Sequence, residues 1–161
     1  MVSDKAILGE GVEIHPLALI EDGARLGNNT KVGPFCIIRK NAVIGEDCNL
    51  TAYCEMRENV VVGDRTTFGS RCTISANARI GNDVRIKYAF VLTDTPELEQ
   101  DSNKVVGHIG NDVLIGANVT LMPGFQIGDG AVIGACSQVR NDVGPNEIWF
   151  GNPAKFFKTK G

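Results

Sequence analysis

The feature that most narrows the possible folds is a six-residue period running along nearly the whole chain. From Leu8 onward every sixth residue is large and apolar: Leu8, Ile14, Ile20, Leu26, Val32, Ile38, Ile44, Leu50, Met56, Val62, Phe68, Ile74, Ile80, Ile86 and Leu92. The register breaks there and resumes at Ile109, Ile115, Leu121, Ile127, Ile133 and Val139. An α-helix turns every 3.6 residues and would scatter such a period around its surface. Short strands joined by regular corners keep it on one side.

A second column lies two residues earlier and holds smaller groups, among them Ala18, Ala24, Thr30, Cys36, Ala42, Cys48 and Cys54. Residues i and i−2 of a strand share a face, so both columns point inward and together fill a narrow interior. Arg25, Lys31, Arg79 and Arg85 fall between them and point outward. Glycine follows the large residue at 9, 27, 45, 63 and 81, then at 110 and 128. One corner in three is therefore a glycine, as positive φ or close backbone approach would require. Three hexads make one coil. The pattern predicts an all-β, triangular, parallel β-helix of about seven coils, stacked roughly 4.8 Å apart. It occupies residues 1–143, with a protruding loop at 93–108. Residues 144–161 abandon the repeat, and their Trp149, Phe150, Phe156 and Phe157 suit a cap over the open end.

Composition excludes several function classes. With 161 residues, 43% hydrophobic and 22% charged, the chain builds one ordered domain. A formal charge of −3 gives no basic excess for nucleic acid. No apolar run approaches the ~20 residues of a membrane span. The first residues lack a basic start followed by an apolar core, so a cytoplasmic location is expected. Cys36, Cys48, Cys54 and Cys72 lie in the small inward column with no Cys-x-x-Cys pair. They read as reduced packing residues. Cys136 breaks that column. The two histidines, His15 and His108, are too few for a His₃ zinc site, and no metal is expected.

Residues Ile109 to Gly124, Ile127 to Ser137, and the tail Phe150-Gly-Asn-Pro-Ala-Lys155 resemble the terminal coils of hexapeptide-repeat acetyltransferases. The resemblance implies a left-handed helix, a homotrimer, and acetyl-CoA lying in the groove between two prisms. Carried over by position, it assigns Ala117 and Ala135 to the pantetheine arm. It assigns Arg140, Asn141 and Lys155 to the nucleotide end of the cofactor, although relatives often carry Thr-Lys where Arg140-Asn141 stands. Residues 15 to 94 are similar to nucleotide-sugar amino N-acetyltransferases. Leu92-Thr93-Asp94 stands where those enzymes have Phe-Thr-Asn, and Gly33-Pro34-Phe35 where they have Trp-His-Phe.

The resemblance places Asp94 at the amine being acetylated. A carboxylate there would hold an ammonium and take its proton, since only the neutral amine attacks a thioester. Arg39 and Arg57, one coil apart on one face, would form a cationic column for a sugar-nucleotide diphosphate. The expected activity is acetyl-CoA-dependent N-acetylation of an amino sugar carried on a nucleotide. Two alternatives remain. One is O-acetylation of a sugar or small molecule, with the imidazole of His108 as base. The other is a scaffold with no catalysis.

Overall fold

A computed structural model describes residues 1–94 and 106–161. Among them are twenty-one two-residue strands that wind through three parallel sheets. The first face contains Ile7–Leu8, Arg25–Leu26, Val43–Ile44, Val61–Val62, Arg79–Ile80, His108–Ile109 and Gln126–Ile127. The second face runs from Glu13–Ile14 to Val132–Ile133, and the third from Leu19–Ile20 to Gln138–Val139. Away from the insertion and the tail each strand pairs in parallel with the strand eighteen residues on, as Val43 does with Val61. Arg79 pairs instead with His108, so eleven extra residues enter between the third and first faces. Most of the expected loop, residues 95–105, lies outside the described residues.

From Ile20 onward every large inward residue named above is buried. Each such side chain stabilises the fold by about 1.5–3 kcal/mol. Leu8 is 43% exposed, because the first coil has no coil beneath it. The small column contributes more than size. Thr30 Oγ1 donates to Gly45 O at 2.7 Å, and Thr66 Oγ1 to Gly81 O at 2.9 Å. Cys48 and Cys54 donate their thiols to the carbonyls of Gly63 and Gly69, each at 3.1 Å. All four inward cysteines are free and buried. The hydrogen bond with Cys54, then burial, pushes the Cys36 thiol well above its usual range. Burial likewise raises Cys48.

The corners answer the glycine question. Positive φ falls three residues after the large inward residue, and mostly on residues other than glycine. Asn29, Phe35, Asn41, Asp47, Tyr53 and Asn59 lie between 53° and 60°. A positive φ at the third of four residues is the type II arrangement, closed at one corner by Thr30 N donating to Gly27 O at 3.4 Å. The left-handed conformation costs about 1–2 kcal/mol away from glycine. A ladder offsets that cost: Asn29 N donates to Glu10 O, Asp47 N to Asn28 O and Arg65 N to Glu46 O, each within 2.9 Å. The corner glycines serve close approach instead. A Cβ on Gly27 would lie 2.5 Å from the carbonyl carbon of Gly45 in the next coil.

The tail departs from a simple cap. Glu147–Gly151 joins the second face beside Val132–Ile133, and Ala154–Thr159 folds back on it antiparallel. Trp149 packs against the core. Phe150, Phe156 and Phe157 stay about half exposed. The hairpin lengthens one face and leaves its phenylalanines outward. No helix among the described residues is long and apolar enough to cross a membrane.

Candidate functional site

The prism has three edges, and the nominated residues other than His108 and Lys155 fall on two of them. The edge between the third and first faces carries Arg39, Arg57 and Arg140, each one residue after a third-face strand, and Asp94 and Asn141, each two residues after one. The edge between the second and third faces carries Ala117 and Ala135, one coil apart. Lys155 is exposed on the outer strand of the tail hairpin, paired with Phe150.

Asp94 is exposed and sits where the chain leaves the prism. Thr93 anchors that exit: its backbone N and its Oγ1 both donate to Leu121 O at 3.0 Å. Val106 and Gly107 restore the register on the return. Val106 is buried, and its carbonyl accepts from Gly124 N at 2.8 Å. Gly107 takes an inward place where a Cβ would meet Leu92 Cδ1 at 2.9 Å. Both ends of the insertion are therefore fixed in the prism. His108 follows, exposed on the first face between Arg79 and Gln126. It borders a depression of about 370 Å³, with Gln126, Asp129 and Asp142 among its other walls. The loop's other carboxylates, Glu97, Glu99 and Asp101, lie outside the described residues.

Arg39 and Arg57 do stack one coil apart, but each is already paired. Arg39 Nε donates to Glu55 Oε1 at 2.8 Å and Nη1 to Glu21 Oε1 at 2.9 Å. These two carboxylates hold its guanidinium above the usual range. Arg57 Nε contacts Glu58 Oε2 at 3.1 Å. The expected cationic column is a neutralised ladder. A phosphate binding there would have to displace carboxylates.

On the edge of Ala117 and Ala135 the chain steps through Gly116 and Gly134. A Cβ on Gly116 would stand 2.6 Å from Ala135 N, so the coils touch there. Cys136 is exposed at the adjoining corner with φ 61°, and its N donates to Ala117 O at 2.8 Å. That is why it breaks the inward column: it occupies a left-handed corner. Among the described residues no group of three or more His, Cys, Asp or Glu is placed to hold a metal ion.

The sequence reading missed the lower part of this same edge. Phe35 and Tyr53 are stacked, with centroids 4.9 Å apart and planes 12° apart. Tyr88 is 60% exposed two coils above Tyr53. The available signal was bulky aromatic side chains at corner positions, where burial does not explain them.

Comparison with known proteins agrees with this geometry. Residues 5–40, 23–58 and 107–141 match the family described as bacterial transferase hexapeptide (six repeats), more than half of the chain. Residues 59–87 match the hexapeptide repeat of succinyl-transferase. A probable macrolide acetyltransferase of Lysinibacillus sphaericus is 54% identical over 66 residues, 41% of this chain and 37% of that protein. A chloramphenicol acetyltransferase of Agrobacterium fabrum is 43% identical over 75 residues, 44% of this chain. The chain thus spans 37% and 36% of the length of these two relatives. Among solved structures, AntD, an N-acyltransferase from Bacillus cereus in complex with dTDP and 3-hydroxybutyryl-CoA, superposes with a TM-score of 0.64. The match has 18% identity and covers 97% of this chain and 83% of that one. The acetyltransferase domain of PglB from Neisseria gonorrhoeae, in complex with acetyl coenzyme A, gives 0.60 at 17% identity, covering 91% of this chain and 58% of that one. These two likenesses are of fold. The chain belongs to the bacterial hexapeptide-repeat transferase family, and its prism is that family's left-handed parallel β-helix.

Proposed function

We propose that this chain is an acetyltransferase that moves an acetyl group from acetyl-CoA to the amine of an amino sugar carried on a nucleotide, and that it works as a homotrimer. The observation that carries the reading is the smooth upper edge, Gly116-Ala117 and Gly134-Ala135. These four positions carry nothing larger than a methyl group, so a pantetheine arm can lie against the backbone between the exposed Asn118 and Cys136 and the tail. Relatives named as acetyltransferases support it. Arg140, Asn141 and the exposed Lys155 are the groups assigned to the cofactor's phosphates.

In the reaction the neutral amine nitrogen attacks the thioester carbonyl. The C–N bond forms, the C–S bond breaks, CoA leaves as thiolate, and the ammonium proton passes to a base. Asp94 is assigned to orient the amine and receive that proton; it stands on a different edge from Ala117 and Ala135, so in the proposed trimer it would act in the groove it forms with a neighbouring prism. A positioned base is worth about 10²–10⁴-fold. Asp94→Asn is therefore expected to lower turnover by that much on an amine acceptor. A small loss would reduce Asp94 to an anchor. The hydroxyl alternative rests on one observation, that His108 faces a depression with two carboxylates in its wall. An alcohol must be deprotonated as it attacks, so His108→Ala would cripple O-acetylation and spare N-acetylation. Full activity in the Asp94→Ala, His108→Ala double variant would end both assignments. A scaffold would not respond to cofactor at all. Acetyl-CoA at 100 times its Kd should stabilise an enzyme by about 2.7 kcal/mol.

A further inference from the structure

The tail meets the prism at the edge that carries Ala117 and Ala135, and the strand register carries that edge one level higher. Ile115 pairs with Ile133 and Ile133 with Trp149, so Ala117, Ala135 and Gly151 stand at successive levels. Gly134 lies beneath Phe150, whose Cβ would be 2.8 Å from a Cβ added to that glycine. The turn between Glu147–Gly151 and Ala154–Thr159 therefore sits where one further coil would round its corner. Lys155 leaves this turn on the outer strand, exposed and paired with Phe150.

Lower corners of the edge are held by backbone. Arg71 N donates to Ala52 O at 2.9 Å, and Cys136 N to Ala117 O at 2.8 Å. At the tail turn the fastening includes a buried side chain. Ser137 Oγ accepts from Gly151 N at 3.0 Å and donates to Gly134 O at 2.7 Å. Ser137 is only 2% exposed and lies in the small inward column, so it cannot itself meet a ligand in the groove. Thr30 and Thr66 make the same pair of contacts inside the prism. Each donates to a corner-glycine carbonyl and accepts an amide of the next coil. Those two join coil to coil. Ser137 instead joins the last coil to the segment that bears Lys155.

The hairpin has a second clasp at its other end. Glu147 Oε2 accepts from Gly144 N and from Trp149 Nε1, each at 2.8 Å. Stability of the tail is thus shared between two clasps, and only one of them touches the small-residue edge. We infer that Ser137 is a positioning residue for the cofactor. Its hydroxyl fixes the tail turn on the edge of Ala117 and Ala135, and so sets Lys155 where it can meet the nucleotide phosphates of acetyl-CoA. Ser137 acts through Lys155, and this role rests on the acetyltransferase reading.

Titration calorimetry of acetyl-CoA on the whole protein tests the role through a double-mutant cycle. Ser137→Ala removes both contacts and should weaken acetyl-CoA by about tenfold, the size of one lost contact to a charged group. Lys155→Ala should lose about as much. The double variant should lose little more than either single one, because the two residues act as one unit. Ser137→Thr, with a hydroxyl of the kind Thr30 and Thr66 use at inward positions, should restore the affinity. Glu147→Gln weakens the other clasp, and should lower the urea midpoint while leaving acetyl-CoA affinity unchanged. If Ser137→Ala does not fold, Ser137→Cys replaces it and should show a smaller loss with the same coupling to Lys155. Unchanged affinity in Ser137→Ala beside a lowered midpoint would overturn the role and leave the serine a fastening of the tail alone. So would full additivity with Lys155→Ala, or an equal loss of affinity in Glu147→Gln. In each of these cases the unmodified protein still binds acetyl-CoA, and only this inference falls. If the unmodified protein binds no acetyl-CoA, the acetyltransferase reading falls with it.

Discussion

Two edges of the same prism obey one backbone rule and use their side chains in opposite ways. The edge between the first and second faces carries seven carboxylates at its corner positions, Glu10, Glu46, Asp47, Asp64, Asp83, Asp112 and Asp129, against one cation, Arg65. These groups turn back on the chain. Glu46 N donates to Asp64 Oδ1, Asp64 N to Asn82 Oδ1 and Asn82 N to Asn111 Oδ1, each at 2.8 Å. The edge between the second and third faces has no such ladder and turns Phe35, Tyr53, Arg71 and Tyr88 to solvent. Polar groups spent on neighbouring coils hold the solenoid. Groups left outward are available to a ligand.

The hardest way to break this contrast is to add side-chain bulk on each edge. A Cβ on Gly63 would stand 2.7 Å from both the carbonyl carbon and oxygen of Gly81, where backbone cannot yield. Gly63→Ala should cost about 3 kcal/mol or more, at the upper end for overpacking, read from the urea midpoint. Ala135→Leu on the other edge, at an exposed site, should change stability by no more than about 0.5 kcal/mol while abolishing acetyl-CoA binding. A Gly63→Ala protein as stable as its parent would show that the coils are not in contact as described.

Next come the inward groups behind the two edges. Thr66 Oγ1 donates to Gly81 O at 2.9 Å and accepts from Val84 N at 3.2 Å. Behind the second edge Cys54 donates its thiol to Gly69 O at 3.1 Å, with Ala52 O at 3.7 Å. Thr66→Val leaves two buried backbone groups without a partner and should cost about 2 kcal/mol. Cys54→Ala should cost about 1 kcal/mol, a weak donor and a small cavity together. Equal losses by thermal unfolding would mean that the column selects for size alone. A smaller step on the first edge is Asn82→Ala, which takes the acceptor from Asp64 N and should cost about 1 kcal/mol. Tyr53→Phe should be neutral by the same assay.

How far the sequence disclosed this follows from what a period records. The column of Ile20, Leu26 and Val32 records burial, so the faces, the coil count and the break after Leu92 could all be read directly. Corner chemistry left a subtler mark. Glycine at 27, 45 and 63 is compatible with positive φ or with contact, and only the coordinates show that Asn29, Asp47 and Arg65 carry the positive φ. Cys136 made no sense as a packing residue until its corner was known. The site was least legible, because neighbours eighteen residues apart decide it. Arg39 and Arg57 read as a cationic column until Glu21 and Glu55 are seen against them.

The smallest expected effect is also the one that separates the edges by pH. Arg65 Nε and Nη2 donate to the two oxygens of Asp83 at 2.8 and 3.0 Å, one coil away. That hydrogen bond, with the charge of Arg65, holds the Asp83 carboxyl below the ordinary aspartate range. The unfolded chain titrates this group near pH ~3.9. Because the folded value is the lower one, the pair's contribution is complete above that pH. It is lost as pH falls through the folded value. Both side chains are solvent-exposed, so the contribution is small and salt-sensitive. Arg65→Gln should therefore leave stability at neutral pH almost unchanged and flatten its decline below about pH 4. Carbon-detected NMR of Asp83 should show its titration moving up to the ordinary aspartate value in that variant. No equivalent shift can arise along the corner positions of the second edge, which hold no carboxylate. An Asp83 that titrates at the same pH with and without Arg65 would show that the acidic edge is not organised by pairing between coils. The contrast between the two edges would then rest on the amide ladder alone.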